Sequence, residues 1–128
     1  MQRTVEFQYH IHPADLEVIV TGSFSLGDSK GCIDEVYRLC GLHSLRKILI
    51  DGRDVPEEIT VGARFSLADY LTAGSPQSIR IAMVAKPERI AFSKTFENTA
   101  NNRGAQVITT DTRKAALKFL DIDDDVKS

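Results

Sequence analysis

The stretch that decides the fold is Lys47-Ile48-Leu49-Ile50-Asp51-Gly52, a short apolar run that ends at a polar, glycine-containing corner. A second run of the same character is Ile79-Arg80-Ile81-Ala82-Met83-Val84-Ala85. Helix-like segments flank both runs, and strands that are apolar on both faces are typical of a parallel sheet covered by helices on both sides. These runs therefore predict an α/β sheet whose functional loops lie at the carboxyl ends of its strands.

The other periodic segments predict the elements around these two strands. Residues 4–11 alternate strictly and predict a half-exposed edge strand, which is followed by a turn over 12–15 and a more buried strand over 16–21. Helices are predicted over 26–43, from about Pro56 or Glu57 to Gly74, and over 88–102 with Gly104 as the stop. A last strand is predicted over 105–109, and either Asp111 or Thr112 is expected to cap a final helix. Predicted buried positions are Val61, Phe65, Ala68 and Leu71 on the second helix and Phe92, Phe96 and Ala100 on the third.

The predicted fold class follows from this order, β-β-α-β-α-β-α-β-α. It is an α/β fold with a single-layer, mixed but largely parallel five-stranded sheet and four helices on its faces. Residues 1–121 are predicted to form one domain, and residues 122–128 an acidic C-terminal tail.

Composition and charge exclude several function classes. The chain has 128 residues, a formal net charge of −2 and no Trp, which argues against nucleic-acid binding. No signal peptide and no apolar run of about 20 residues is visible, so we expect a cytoplasmic protein without membrane contact. Cys32 and Cys40 lie eight positions apart on a predicted helix, about 12 Å along its axis, which excludes a disulfide between them. Both are expected to be buried, and no zinc-ligand spacing accompanies them.

The carboxyl ends of the predicted parallel strands supply polar corners that would meet at one edge of the sheet. These corners are Thr21-Gly22-Ser23, Asp51-Gly52-Arg53-Asp54, Ala85-Lys86-Pro87 and Thr109-Thr110-Asp111. Asp51 and Lys86-Pro87 are similar to a phosphoacceptor receiver site, but the corner at Thr21 lacks the acidic pair that Mg²⁺ would need there. The three histidines have no evident nucleophile beside them, so no catalytic residues, cofactor or metal site are predicted.

The leading hairpin, Ile48-Leu49-Ile50-Asp51, Ile81-Ala82-Met83-Val84-Ala85 and the closing Ala115–Leu120 segment together carry a family resemblance. The chain resembles the STAS-like family, which includes anti-sigma-factor antagonists and cytoplasmic domains of sulphate transporters, and it is most similar to stand-alone bacterial members of unknown function. The resemblance implies a phosphorylated serine at the start of the helix after the third strand. The corresponding stretch over 57–62 lacks the serine pair, and Thr60 is the hydroxyl that remains as a candidate phosphoacceptor.

Two functions remain open from the sequence. The first, implied by the resemblance, is a non-enzymatic regulatory module that docks a protein partner, such as a kinase-like anti-sigma factor. The alternative is a carrier or sensor that binds a nucleotide, anion or lipid at the polar corners. The edge strand could also pair with another chain, giving a homodimer. The predicted partner- or ligand-binding residues are Ser23, Ser25, Asp51, Arg53, Asp54, Glu58, Thr60 and Lys86.

Overall fold

The computed structural model describes residues 5–22, 26–54, 61–73 and 79–122, and these residues have the predicted order of elements. The strands are β1 (Glu6–Ile11), β2 (Leu16–Thr21), β3 (Lys47–Asp54), β4 (Arg80–Val84) and β5 (Gln106–Thr110). The helices are α1 (Leu26–His43), α2 (Val61–Ala73), α3 (Ile90–Asn102) and α4 (Arg113–Phe119), with a short 3₁₀ turn over Pro87–Arg89 before α3. The fold class predicted from the sequence is confirmed.

The order of the strands across the sheet is the same as their order along the chain. β1 pairs antiparallel with β2, and β2 through β5 are parallel to their neighbours. Each β-α-β connection therefore steps across the sheet in the same direction. Because parallel connections are almost always right-handed, steps in one direction place all the connecting helices on one face of the sheet.

The packing of the core agrees with this topology. One cluster joins the inner sides of α1, α2 and α3 to one face of the sheet, and it includes Val36, Ala68, Ala100 and Ile48. A smaller cluster joins α4 to the opposite face, where Leu117 and Leu120 pack with Leu49, Ala82 and Val84. Helices thus cover both faces, as predicted, but on the second face α4 packs mainly on β4 and β5.

Local sequence explains where the helices begin and end. Thr112 caps α4, since its Oγ1 accepts a hydrogen bond from the backbone N–H of Ala115 at 3.2 Å. Gly104 ends α3 with a φ of +97°, the left-handed conformation that glycine adopts without strain. Both of these positions are predicted from the sequence. The predicted ends of α2 at Pro56 and Gly74 lie outside the described residues.

Three details differ from the sequence prediction. β3 continues through Gly52 and Arg53 to Asp54, where a loop was expected after Asp51. Phe65 is 44% exposed instead of buried, because it lies about 160° around α2 from the buried Leu67. Ile122 is buried in the α4 cluster, so the packed chain extends one residue into the predicted tail.

Candidate functional site

The carboxyl ends of the parallel strands meet at one edge of the sheet, as the sequence predicts. The register places Thr21 of β2 opposite Asp54 of β3, and Asp51 opposite Val84 of β4. Val84 in turn lies opposite Thr110 of β5. Backbone from all four strands therefore frames this edge, and we refer to it as the carboxyl edge.

Asp51 and Arg53 form the best-defined polar contact at the carboxyl edge. The Arg53 Nη2 and Nε groups donate to Asp51 Oδ2 at 2.7 Å and to Oδ1 at 3.0 Å, and the Arg53 backbone N–H also donates to Oδ1 at 3.1 Å. The register against β2 shifts here, since Ile19 pairs with Asp51 and Thr21 with Asp54, so β3 carries one extra residue between Asp51 and Asp54. The hydrogen bond from the Arg53 backbone N–H to the Asp51 side chain lies within this irregular stretch.

The ionisation of Asp51 follows from these contacts. Partial burial by itself raises the pKa of the Asp51 carboxyl, but the side-chain and backbone hydrogen bonds from Arg53 and its positive charge outweigh that effect. The net result is a pKa below the usual value for aspartate, despite the opposing charge of Glu17. Asp51 is thus held as an ionised carboxylate, and both of its oxygens accept hydrogen bonds from Arg53.

The strand order at this edge has no reversal, although α3 after β4 and α4 after β5 leave toward opposite faces of the sheet. Open α/β sheets bind ligands where the strand order reverses, because neighbouring connections leave there toward opposite faces of the sheet. In this sheet β2 through β5 follow one another without a reversal. The described residues therefore meet one part of this rule, at β4 and β5, without a reversal of the strand order.

The structure places only part of the predicted site. Asp51 and Arg53 are in contact, Asp54 is the last residue of β3, and Lys86 is half-buried just after β4. The remaining predicted residues, Ser23, Ser25, Glu58 and Thr60, lie outside the described residues. Thr60 as a phosphoacceptor therefore stays a prediction.

A second charged network was missed by the sequence analysis. Glu17 of β2 is only 7% exposed, and its carboxylate contacts His12 Nε2 at 2.9 Å and Arg113 Nη1 at 2.7 Å. This network connects the β1–β2 turn to the first turn of α4 on the second face of the sheet. Its sequence signature is a lone acid within the apolar run Leu16-Glu17-Val18-Ile19-Val20, a position where an unpaired charge would be costly.

A third polar group lies beneath α3. Lys94 Nζ is 2.7 Å from Glu97 Oε2 and donates a hydrogen bond to the backbone oxygen of Thr109 at 3.2 Å. The Thr109 side-chain oxygen is buried and has no hydrogen-bond partner among the described residues. Within the same residues, no three His, Cys, Asp or Glu side chains are grouped in a way that could hold a metal ion.

Comparisons with known proteins bear on the fold. No protein-family model matches the chain, and no curated protein matches it. Among solved structures, an anti-sigma factor antagonist from Mycobacterium paratuberculosis matches with a TM-score of 0.64 and 13% sequence identity. The match covers 98% of this chain and 96% of that chain. No helix in the described ranges has the length and hydropathy needed to cross a membrane. The end-to-end structural match shows that the chain has the STAS-like fold of an anti-sigma factor antagonist.

Proposed function

We propose that this chain is a non-enzymatic regulatory module of the STAS-like type that acts by binding a protein partner. The observation that carries the proposal is the structural likeness to an anti-sigma factor antagonist over 98% of this chain. The likeness covers 98% of this chain and 96% of that chain, so it concerns the fold as a whole and not one shared motif. The proposed partner is an anti-sigma factor with a kinase-like fold.

We place the proposed docking surface at the carboxyl edge, centred on Arg53. The Arg53 side chain is 47% exposed, while the two hydrogen bonds to the Asp51 carboxylate hold its guanidinium in place. A cation that is already oriented loses less conformational freedom on binding than a mobile one. Arginine is also enriched among the residues that dominate the energy of protein interfaces. Lys86 adds a second cation at the same edge.

The partner fitted to such a surface would present acidic side chains, and electrostatic complementarity would speed its association. Ser23, Ser25, Glu58 and Thr60 belong to this proposed surface by their positions in the sequence. Thr60 would be its regulatory residue. A phosphate there adds about −1.5 to −2 charges next to the cationic edge and would repel an acidic partner.

The test compares two matched double variants of the tagged, full-length chain. Asp51→Asn with Arg53→Ala removes the ion pair at the carboxyl edge without leaving either charge unpaired. Glu35→Gln with Arg38→Ala removes a comparable exposed pair on α1, where Arg38 Nε donates to Glu35 Oε1 at 2.7 Å. Partners are captured from a lysate of the source cells, and the affinity of a stoichiometric partner is then measured with purified proteins.

We expect the edge variant to weaken binding about tenfold, equivalent to about 1.4 kcal/mol, and the α1 variant to change it little. Circular dichroism should show that both variants are folded. Equal affinities for the two variants would contradict the assignment of the surface. Absence of any stoichiometric protein partner would contradict the docking function itself.

Where a partner is captured, the complex is incubated with ATP. Mass spectrometry of the chain then shows whether Thr60 gains a phosphate.

A further inference from the structure

The two edge strands of the sheet are protected to different extents. On β5, the outward backbone N–H and C=O of Val107 are both bonded by the Asn101 side chain, at 2.8 and 2.9 Å. The next outward carbonyl, that of Thr109, accepts a hydrogen bond from Lys94. Two side chains of α3 thus occupy the groups through which another strand would pair with β5, a common way of blocking an edge.

The edge formed by β1 has backbone N–H and C=O groups that point away from the sheet. The backbone N–H of His12 donates to the carbonyl of Asp15 at 2.9 Å, which makes this a hydrogen-bonded pair of the β1–β2 hairpin. Such pairs alternate along antiparallel strands, so the N–H and C=O groups of Phe7, Tyr9 and Ile11 point away from β2. Nothing in the described ranges 5–22, 26–54, 61–73 and 79–122 bonds to these outward groups.

We propose that β1 pairs antiparallel with β1 of a second copy of this chain, joining the two sheets into one of ten strands. In this pairing Gln8 lies opposite Gln8 of the second copy. Phe7 then lies opposite Tyr9, Glu6 opposite His10 and Val5 opposite Ile11, each pair occurring twice around the two-fold axis. The proposal concerns self-association and is independent of the proposed docking at the carboxyl edge.

The register follows from the pattern of the strand. Only residues with outward backbone groups can form hydrogen-bonded pairs with each other, so the two-fold axis must pass at a residue and not between two residues. Centring on Gln8 alone pairs all of residues 5–11 with one another. It places the Glu6 carboxylate opposite the His10 ring, which can donate a hydrogen bond to it, and both of these side chains are exposed in the single chain.

The apolar side of the strand supports the same register. Phe7 and Tyr9 would form an aromatic cross-strand pair, a combination that stabilises antiparallel sheets. Ile11 is 44% exposed in the single chain and would be covered by packing beside Val5 of the second copy. The pairing therefore satisfies the open backbone groups, gives the Glu6 carboxylate a hydrogen-bond partner and buries an exposed isoleucine.

Disulfide cross-linking tests this register directly. In the proposed dimer, residue 8 and its symmetry mate form a non-hydrogen-bonded pair with Cα atoms about 4.5 Å apart, within the range for a disulfide. Gln8→Cys should therefore cross-link the dimer under mild oxidation. Glu6→Cys is the matched control, because its two copies would be about 13 Å apart, four residues along the strand. A mixture of Glu6→Cys and His10→Cys chains should cross-link, whereas neither variant alone should.

Residues 6, 8 and 10 have exposed side chains, so replacing them with cysteine should not disturb folding. The native Cys32 and Cys40 are buried and should contribute little background cross-linking. We expect Gln8→Cys to cross-link at least about tenfold faster than Glu6→Cys. Sedimentation equilibrium of the unmodified chain should show a mass rising toward twice 14.2 kDa with concentration. A monomer at every concentration would overturn the proposal. A dimer in which Gln8→Cys and the mixed pair fail to cross-link would also overturn it, because the interface would lie elsewhere.

Discussion

Replacing Arg113 with alanine should lower the free energy of unfolding by more than is usual for a partly exposed residue on a short helix. Arg113 contacts the carboxylate of Glu17, which is almost fully buried. Removing one partner of a fully buried ion pair costs about 3–5 kcal/mol. The Arg113 side chain is 35% exposed, so solvent screening lowers this figure. Loss of a cation from the positive end of α4 also recovers about 0.3–1 kcal/mol.

The expected loss in the free energy of unfolding is therefore about 1–3 kcal/mol, since His12 still contacts Glu17. Urea unfolding followed by far-ultraviolet circular dichroism would measure it. Lys114→Ala is the matched control, because this exposed residue follows Arg113 in the same helical turn and should change stability by less than about 0.5 kcal/mol. Combining Arg113→Ala with Glu17→Gln should show a coupling energy of about 0.5–3 kcal/mol. If Arg113→Ala behaves like Lys114→Ala, the reasoning from burial is refuted.

Three further predictions concern single side chains. Because the folded state holds the pKa of Asp51 below its usual value of about 3.9, its stabilising effect is complete above that pH and is lost as pH falls through the folded pKa. Wild type should thus lose more stability than Asp51→Asn on acidification, and equal acid sensitivity in urea titrations would contradict this. Burial raises the pKa of Cys40 to about 11, so thiol reagents at about pH 8 should label it slowly until denaturant is added. Rapid labelling of the native chain would show that the thiol is accessible. Thr109→Val should raise the free energy of unfolding by about 1 kcal/mol by removing a buried hydroxyl without a partner. Thr110→Val, which removes a hydroxyl that accepts a backbone N–H, should not.

The fold was predictable because the hydrophobic patterns of its strands differ: β1 alternates between polar and apolar residues, whereas β3 has a continuous apolar run. Ile48 and Leu49 are adjacent and both fully buried, which is possible only if β3 is covered on both faces. Gly104 marked a helix end through its backbone freedom, and Thr112, one of two candidate caps, through its side-chain hydroxyl. The side of the sheet on which each helix lies was not predictable, because it depends on strand order, and strand order is set by pairing between segments distant in sequence.

The site was predictable only in part, for reasons that single residues show. Asp51 and Arg53 were both selected, but their contact was missed. Period-two alternation could not have predicted this contact, because β3 carries an extra residue between Asp51 and Asp54 relative to β2. Glu17 and Arg113 are 96 positions apart, and no local pattern joins residues at that separation. Phe65 was misassigned because it lies only about 60° around α2 from the buried Ala68, whereas the buried face extends from Ala68 in the other direction, toward Leu71 and Leu67.

The strand order also has a consequence for how the chain assembles as it leaves the ribosome. Since each strand pairs only with strands next to it in sequence, the sheet can grow from β1 toward β5 in the direction of synthesis. Until residues 106–110 have emerged, β4 is the growing edge, although it is apolar on both faces. Asn101 and Lys94 are synthesised earlier but have no strand to cap at that stage. Nascent chains that stall before β5 should therefore be the most prone to associate with one another.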